Sequence, residues 1–357
     1  MKRLILSRKT ALVFSASAIA AFFAIALLEV VLHAHFHSVN GYWLFLGRKA
    51  YQVPYTKPVA DRRQYSLREG VSDGTQSINT KGFRGPLLAD DDSPVICVLG
   101  DSVPFGAGVR DNETFPVHLQ SMLDQRGYRY RVLNAGVPSY NLRQSIDRWD
   151  IDVRRDYKCA VIVLNAANDV SLIDYYKDRW NLDITWASER FGIADRGRSS
   201  IAFYISALLR PTPPLRANSN PFDVLRADFG EQIARPLALG IPVVLMPVAP
   251  CYYAKVPIDD ARNTVSCKGY PTFSDAVKNW GAITDRVNAM LRESSSKPHV
   301  TFLDTSRLLD EGVGRAGMYI DYIHFSDQGN LAIATAIADH LAATSIITRA
   351  DRSPPSK

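Results

Sequence analysis

The sequence has 357 residues, of which 46% are hydrophobic and 22% are charged. A chain of this length and composition can bury a large core, which excludes an intrinsically disordered protein. The formal net charge is +6, but Lys2, Arg3, Arg8 and Lys9 supply four basic side chains and leave 38 basic residues against 36 acidic ones. That balance gives no support for nucleic acid as a partner.

The N-terminal stretch predicts a membrane anchor. Thr10–Leu32 carries no charge except Glu29, and a helix of this length would span roughly 30 Å, the thickness of the hydrocarbon core. A cleaved signal peptide is the alternative, but its apolar core is shorter and is followed by a small-residue cleavage site. We therefore expect residues 10–33 to cross a bacterial inner membrane once.

The charges around this segment predict its orientation. The basic segment 1–9 precedes the anchor and no comparable cluster directly follows it, which places the N-terminus in the cytoplasm and the rest of the chain in the periplasm or outside the cell. Glu29 lies near the outer end, where a carboxylate can reach the interface, and we interpret it as positional rather than functional.

The remaining chain divides into a connector, a main domain and a tail. Residues 34–92 are polar and rich in Tyr and Arg, and their turn-rich part Asn79–Gly85 carries Phe83, which we expect to pack on the main domain. The main domain covers residues 93–346, and the tail 347–357 is expected to be disordered. No internal repeat is found.

Strand-like and helix-like segments alternate in chain order through the main domain. The predicted strands are Pro94–Leu99, Tyr130–Leu133, Ala160–Leu164, Ile241–Met246 and Val300–Leu303. The predicted helices are Phe115–Leu123, Leu142–Val153, Phe222–Leu239, Phe273–Leu291 and Asp327–Leu341. Continuous apolar strands indicate burial on both faces, so the sequence predicts an α/β fold, a three-layer α/β/α sandwich with a mostly parallel sheet, preceded by one transmembrane helix.

Two insertions interrupt this alternation, at about residues 171–221 and 250–271. The first is rich in Tyr, Trp and Phe and follows a strand end, so it could form a lid or a wall that binds an acceptor. A satellite hydrophobic cluster and a surface that rests on the membrane are the alternatives.

The four cysteines fit an oxidising compartment. Cys97 and Cys159 lie in or beside apolar strands and are interpreted as small core residues. Cys251 and Cys267 lie in a polar loop, and we predict a disulfide between them. No Cys/His spacing resembles a zinc site, and neither a metal nor a cofactor is predicted.

Candidate catalytic residues follow the predicted strands. Ser102 comes directly after the first strand, Gly136 and Asn168 follow the next two, and Asp321 and His324 follow the last. Because the carboxyl ends of parallel strands share one edge of a sheet, these residues can converge. A serine nucleophile needs a base such as imidazole, which a carboxylate orients, and the oxyanion needs preorganised N–H donors.

Four short sequence blocks of the chain resemble those of the SGNH (GDSL-type) hydrolases. The blocks appear in order as GDS at 100–102, Gly136 in NAGVPSYN, Asn168 in NAAND and His324 in DYIH. The resemblance covers roughly residues 82–345. The first block reads GDSV where GDSL is common, and Ala166 stands where the third block usually has glycine.

The resemblance implies a role for each residue. Ser102 would be the nucleophile, His324 the base and Asp321 its orienting carboxylate. The oxyanion hole would consist of the Ser102 N–H, Gly136 and Asn168. Asp101 and Asp169 are expected to support the site.

The activity implied is that of an esterase or acyltransferase anchored in the membrane. Acyl esters of extracytoplasmic carbohydrate, chiefly O-acetyl esters, suit the location and the aromatic insertion. Lipid acyl esters, as for a lipase or lysophospholipase, suit the membrane tether. The third alternative is a non-catalytic subunit of a polysaccharide assembly system that keeps the fold.

Overall fold

A sheet of five parallel strands forms the centre of the fold. The computed structural model describes residues 8–40, 55–59, 61–63, 65–165, 169, 201, 221–249, 274–308, 315–320 and 323–349. Its strands are β1 (Thr56–Pro58), β2 (Tyr65–Leu67), β3 (Val95–Leu99), β4 (Arg131–Asn134), β5 (Cys159–Asn165), β6 (Val243–Met246) and β7 (Val300–Phe302). Strands β1 and β2 form an antiparallel pair, and the other five form the sheet in the order β4-β3-β5-β6-β7.

The register of the sheet brings the carboxyl ends of its first strands to one edge. Val98 pairs with Asn134 of β4, and Leu99 pairs with Leu164 of β5, all in parallel. The order of the strands switches sides at β3, because the next strand in the chain, β4, lies on one side of it and β5 lies on the other. Open α/β sheets bind ligands outside the strand ends at such a switch point.

Helices cover both faces of this sheet. They belong to the same unit as the sheet and are, in the order of the chain, α2 (Ser102–Phe105), α3 (Phe115–Gln125), α4 (Leu142–Arg148), α5 (Arg154–Asp156), α6 (Pro221–Leu237), α7 (Ser274–Ser294), α8 (Thr305–Leu308) and α9 (Asp327–Ala343). Helix α1 (Arg8–Asn40) belongs to a separate unit. Helix α3 packs on α9, whereas α6 packs on α4 and α7. Right-handed crossovers put these two groups on opposite faces. The predicted α/β/α sandwich is confirmed.

The strands of the sheet are buried as their composition predicts. Every residue of β3 and β6 is buried, and so are most of β5 and the last three residues of β4. Strands covered on both faces need no alternation of apolar and polar side chains. The core therefore runs through the sheet, with Phe115, Phe229 and Ile333 among the helix residues that fill it.

The chain separates into two units. One consists of Met1–Val53 with Asp183–Leu215, and the other of Pro54–Leu182 with Arg216–Lys357. In the first unit the structure describes α1 and Ile201. One window of α1, Ser15–His35, has the length and the mean hydropathy, 2.2, of a membrane-spanning helix.

Glu29 of α1 has two partners within its own unit. Its Oε1 lies 3.2 Å from His33 Nε2, and its Oε2 accepts a hydrogen bond from the Ile201 N–H at 3.0 Å. Ile201 belongs to the first predicted insertion. The carboxylate therefore binds the backbone of a segment that is distant in the sequence. The interpretation of Glu29 as a positional residue did not include this contact.

Much of the connector belongs to the same unit as the sheet. Leu67 and Phe83 are fully buried, and Phe83 lies in the hydrophobic core together with residues of β3 and β5. At the other end of the chain, Ile347 is buried although it falls in the predicted tail. The Thr348 N–H donates to the Tyr130 hydroxyl at 3.4 Å. Packing therefore continues past residue 346.

The structure contains a disulfide that the sequence did not predict. Cys97 of β3 and Cys159 of β5 form a disulfide, with 5.6 Å between their Cα atoms. The interpretation of these two as separate core residues was wrong. Cys159 pairs with Val95, which shares a face of β3 with Cys97, and the sequence does not reveal that β3 and β5 are neighbours. Cys251 and Cys267 lie outside the described residues.

Candidate active site

A tight turn presents Ser102 directly after β3. Gly100, with φ 142°, makes the turn possible: a Cβ there would lie 2.7 Å from both Asn165 O and Pro104 Cγ. Asp101, almost fully buried, accepts a hydrogen bond from the Val103 N–H at 2.8 Å and so caps α2. Ser102 is the first residue of α2 and half-buried, so its hydroxyl can reach a substrate.

His324 meets this serine from the far end of the chain. Its Nε2 lies 2.8 Å from Ser102 Oγ, although 222 positions separate the two residues. This distance is that of a good hydrogen bond between a nucleophile and its base. The convergence that the sequence predicts for these two side chains is present.

A short antiparallel turn holds His324 in place. Tyr319 pairs with Phe325, and the Ile320 N–H donates to the His324 carbonyl at 2.9 Å. The buried Tyr319 donates its hydroxyl hydrogen to Ala249 O, at 2.8 Å, beyond the end of β6. Ser326 then caps α9 by accepting from the Gly329 N–H at 3.2 Å. The imidazole is thus tied to both the sheet and the last helix.

Two of the predicted site residues cannot be placed. Asp321, the expected orienting carboxylate, and Asn168, the expected oxyanion donor, lie outside the described residues, as does Ala166. Asp169 is described and fully buried, and its Oδ2 accepts a hydrogen bond from the Leu142 N–H at 2.9 Å. This bond connects the segment that follows β5 to the first residue of α4, the helix that follows β4.

Gly136 lies where the loop after β4 touches α2. A Cβ at this position would come within 2.4 Å of Phe105 N, so only glycine fits. Its N–H donates to the Asn134 side-chain oxygen at 3.1 Å, and Asn134 Nδ2 donates to Pro104 O at 2.8 Å. The N–H that the resemblance assigns to the oxyanion hole therefore already has an acceptor.

A buried arginine that the sequence analysis did not single out supports this loop. Arg148 of α4 donates to Ala135 O at 3.0 Å, Gly82 O at 2.6 Å and Ser66 Oγ at 2.9 Å. Its guanidinium also lies 5.0 Å from the centroid of the Phe83 ring. Burial lowers the pKa of Arg148 from its ordinary value.

Arg148 was detectable in part from the sequence, because it stands four positions before Asp152, with which it forms an ion pair at 3.2 Å. Its contacts join the connector to the loop that carries Gly136. Ser66, Gly82 and Phe83 are therefore part of the framework of the site.

Comparison with known proteins identifies the family. The model of the GDSL-like lipase/acylhydrolase family matches residues 98–332, about two thirds of the chain. The chain belongs to this family. Membership gives it the general activity of an acyl ester hydrolase, and the matched range contains every candidate residue from Ser102 to His324. No curated protein sequence matches the chain significantly.

The chain also matches solved structures, three of which are described here. A lipase/acylhydrolase from Enterococcus faecalis is 15% identical, with a TM-score of 0.40 over 72% of this chain and 99% of that one. TesA is 14% identical, with a TM-score of 0.43 over 70% and 98%. A mutant of an acetyl-xylooligosaccharide esterase from Geobacillus Stearmophilus is 16% identical, with a TM-score of 0.42 over 70% and 94%.

Proposed function

We propose that this family member uses Ser102 as the nucleophile and His324 as the base of an esterase or acyltransferase. The hydrogen bond of 2.8 Å between Ser102 Oγ and His324 Nε2 carries the proposal. In the first step Oγ attacks the ester carbonyl carbon while its proton passes to Nε2. The imidazolium then gives this proton to the leaving alcohol, and an acyl-serine remains.

The second half of the reaction repeats these steps with another nucleophile. Water, or a sugar hydroxyl in a transferase, gives its proton to His324 and attacks the carbonyl carbon of the acyl-serine. The bond from that carbon to Ser102 Oγ then breaks, and the imidazolium returns the proton to Oγ. Asp321 is proposed to accept the other ring N–H and to stabilise the imidazolium. The Ser102 N–H, the first of α2, has no intrahelical acceptor and can stabilise the oxyanion, as can the Asn168 side-chain amide.

We further propose that α1 anchors this enzyme in the inner membrane with its active site on the periplasmic side. Large apolar side chains such as Phe22, Phe23 and Leu27 are two-thirds exposed on α1, as expected for a helix that contacts lipid. The disulfide between Cys97 and Cys159 supports an oxidising compartment.

Labelling with a fluorophosphonate tests whether Ser102 is a nucleophile. We expect the full chain in mild detergent to be labelled and Ser102→Ala to remain unlabelled, because the probe reacts only with an activated hydroxyl. Ser296→Ala is the matched control, since Ser296 lies in an exposed turn after α7 and should leave labelling unchanged. Equal labelling of Ser102→Ala would refute the assignment, and an unlabelled folded wild type would favour a non-catalytic subunit.

The proposed substrates are O-acetyl esters of carbohydrate outside the cytoplasmic membrane. The competing candidate is a lipid acyl ester, which the exposed apolar surface of α1 favours.

A series of p-nitrophenyl esters from acetyl to palmitoyl separates these candidates. We expect kcat/KM to be highest for acetyl and to fall by roughly tenfold or more at octanoyl, because a pocket shaped for two carbons excludes longer chains. Release of acetate from an acetylated polysaccharide would be the direct confirmation. An optimum at octanoyl or longer would contradict the carbohydrate proposal and favour lipid.

A further inference from the structure

The turn-rich part of the connector places a second side chain in the interior. Arg84 is 4% exposed, and arginine is rarely enclosed to this extent unless it is paired. Its Nε donates to Asp111 Oδ1, and its Nη2 donates to Val109 O at 3.0 Å. Its guanidinium also lies 4.6 Å from the centroid of the Phe105 ring. One connector side chain therefore contacts both ends of the segment 105–111.

Stability alone does not account for an arginine at this position. Within the described part of the chain, Arg84 Nη1 is buried and has no hydrogen-bond acceptor. Burial lowers the pKa of the guanidinium from its ordinary value, which is the direction expected when a cation is costly to enclose. An apolar side chain of similar volume often stabilises a core at least as well as a buried ion pair. The arginine is better explained by the segment that it holds in place.

The segment 105–111 begins at the helix that carries Ser102. Helix α2 ends at Phe105. The N–H groups of Gly106 and Ala107 then donate to the Ser102 carbonyl oxygen, at 3.1 and 3.0 Å. The start of the segment is therefore bonded directly to the backbone of the proposed nucleophile.

The far end of the segment is fixed on the connector. Val109 O accepts a second hydrogen bond, from Gln76 Nε2 at 3.2 Å. Asp111 accepts from the Ser77 N–H at 3.1 Å, and its own N–H donates to Thr75 O at 3.1 Å. These bonds do not involve the guanidinium. Its removal should therefore loosen the segment without leaving Val109 O or Asp111 unpaired.

Between its two ends the segment touches the turn that carries His324. Gly108 has a φ of 87°, and a Cβ there would lie 2.2 Å from Ile320 Cδ1. The Ile320 side chain therefore lies directly against Gly108. The Ile320 N–H donates to the His324 carbonyl at 2.9 Å. A continuous series of contacts thus connects Arg84, through the segment and Ile320, to the proposed base.

We propose that Arg84 is a positioning residue for the proposed catalytic pair. By holding the segment 105–111, it keeps the imidazole of His324 within hydrogen-bond distance of Ser102 Oγ. The segment is bonded to Ser102 at its start and packs on Ile320 in its middle, so a shift of the segment changes the separation of the two reacting groups. A misplacement of about 1 Å can slow a reaction about 10²-fold. This inference rests on the function proposed for Ser102.

The substitution Arg84→Met tests the inference, because methionine fills part of the same space and donates no hydrogen bond. We expect kcat for p-nitrophenyl acetate to fall about tenfold with KM unchanged, since a buried side chain acts on the geometry of the pair rather than on substrate binding. Turnover is expressed per active site titrated to completion with fluorophosphonate, so loss of folded protein does not lower it. Arg235→Met is the matched control, because Arg235 is also paired with carboxylates but joins α6 to α4.

A second substitution separates positioning from a merely structural role. Ile320→Ala removes the contact with Gly108 and should also lower kcat with KM unchanged. If Arg84 acts through this contact, the double variant should be no slower than Arg84→Met, whereas independent effects would multiply. Ile320 is 40% exposed, so its variant should fold even if Arg84→Met does not. Leu331→Ala is its control, because Leu331 is 46% exposed on α9.

Three results would overturn the inference. They are an unchanged kcat in Arg84→Met, an unchanged kcat in Ile320→Ala, and losses that multiply in the double variant. Each would leave the proposed function intact as long as turnover and labelling still require Ser102. Failure of the proposed function would instead appear as turnover that Ser102→Ala retains.

Discussion

Ser102→Ala is expected to lower kcat/KM for p-nitrophenyl acetate by roughly 10⁴-fold or more, and His324→Ala by a similar factor. The two side chains share one hydrogen bond of 2.8 Å, so each needs the other to activate the hydroxyl. The double variant should therefore be no slower than either single variant. Steady-state kinetics on the three purified proteins measure this directly.

A second histidine provides the control for this experiment. His118 of α3 has its Nε2 2.8 Å from Asp327 Oδ1, so it is also a half-buried imidazole paired with another side chain. Its ring contacts Asp327 and not Ser102, so His118→Ala should keep wild-type turnover. Losses at Ser102 and His324 that multiply in the double variant would show that the two residues do not act as a unit.

Removal of the disulfide is expected to have the largest effect on stability. Cys97 and Cys159 are 62 positions apart, and closing a loop of this length reduces the entropy of the unfolded chain by the equivalent of about 4 kcal/mol. Cys97→Ala combined with Cys159→Ala should lower the free energy of unfolding by about that amount. Chemical denaturation of the full chain in detergent, followed by tryptophan fluorescence, measures the difference.

Peptide mapping distinguishes this disulfide from the one predicted from the sequence. Digestion without reductant should yield a peptide that joins Cys97 to Cys159, and the double variant should lack it. Free thiols at both positions in the oxidised wild type would contradict the structure. The same digest also tests the pairing of Cys251 with Cys267, which stays a prediction.

The strands of the sheet were predictable because each contains consecutive apolar residues or consists largely of them. Predicted and observed bounds differ by one or two residues, as for Pro94–Leu99 against Val95–Leu99 and Ile241–Met246 against Val243–Met246. The predicted helix Leu142–Val153 is α-helical to Arg148 and then continues as a π-helical turn, Trp149–Val153. The spacing of apolar residues indicates which face of a helix is buried. It does not reveal a change from α-helical to π-helical hydrogen bonding within the helix.

The proposed catalytic pair was predictable because strong local patterns mark both residues. Ser102 follows an apolar strand, and His324 stands just before a helix with a clear cap at Ser326. Once the sheet is known to be parallel, the shared edge brings such residues together. The position of Asp321 relative to His324 stays a prediction.

The packing of Phe83 on the main domain was predicted, but the hydrogen bonds of the connector were not predictable from composition. Its strands β1 and β2 are three residues long, and its contacts with the main domain are made largely by side-chain hydrogen bonds from Tyr65 and to Arg148. Apolar periodicity does not report such bonds.

The buried guanidinium of Arg148 limits how the enzyme can be shortened for recombinant work. A soluble fragment that starts at Ser93, just before β3, would remove Ser66 and Gly82 from this side chain and strip Phe83 out of the core. A buried cation that loses its partners is severely destabilising. A truncated form without α1 should therefore retain the chain from Pro54 onward, where the sheet-containing unit begins.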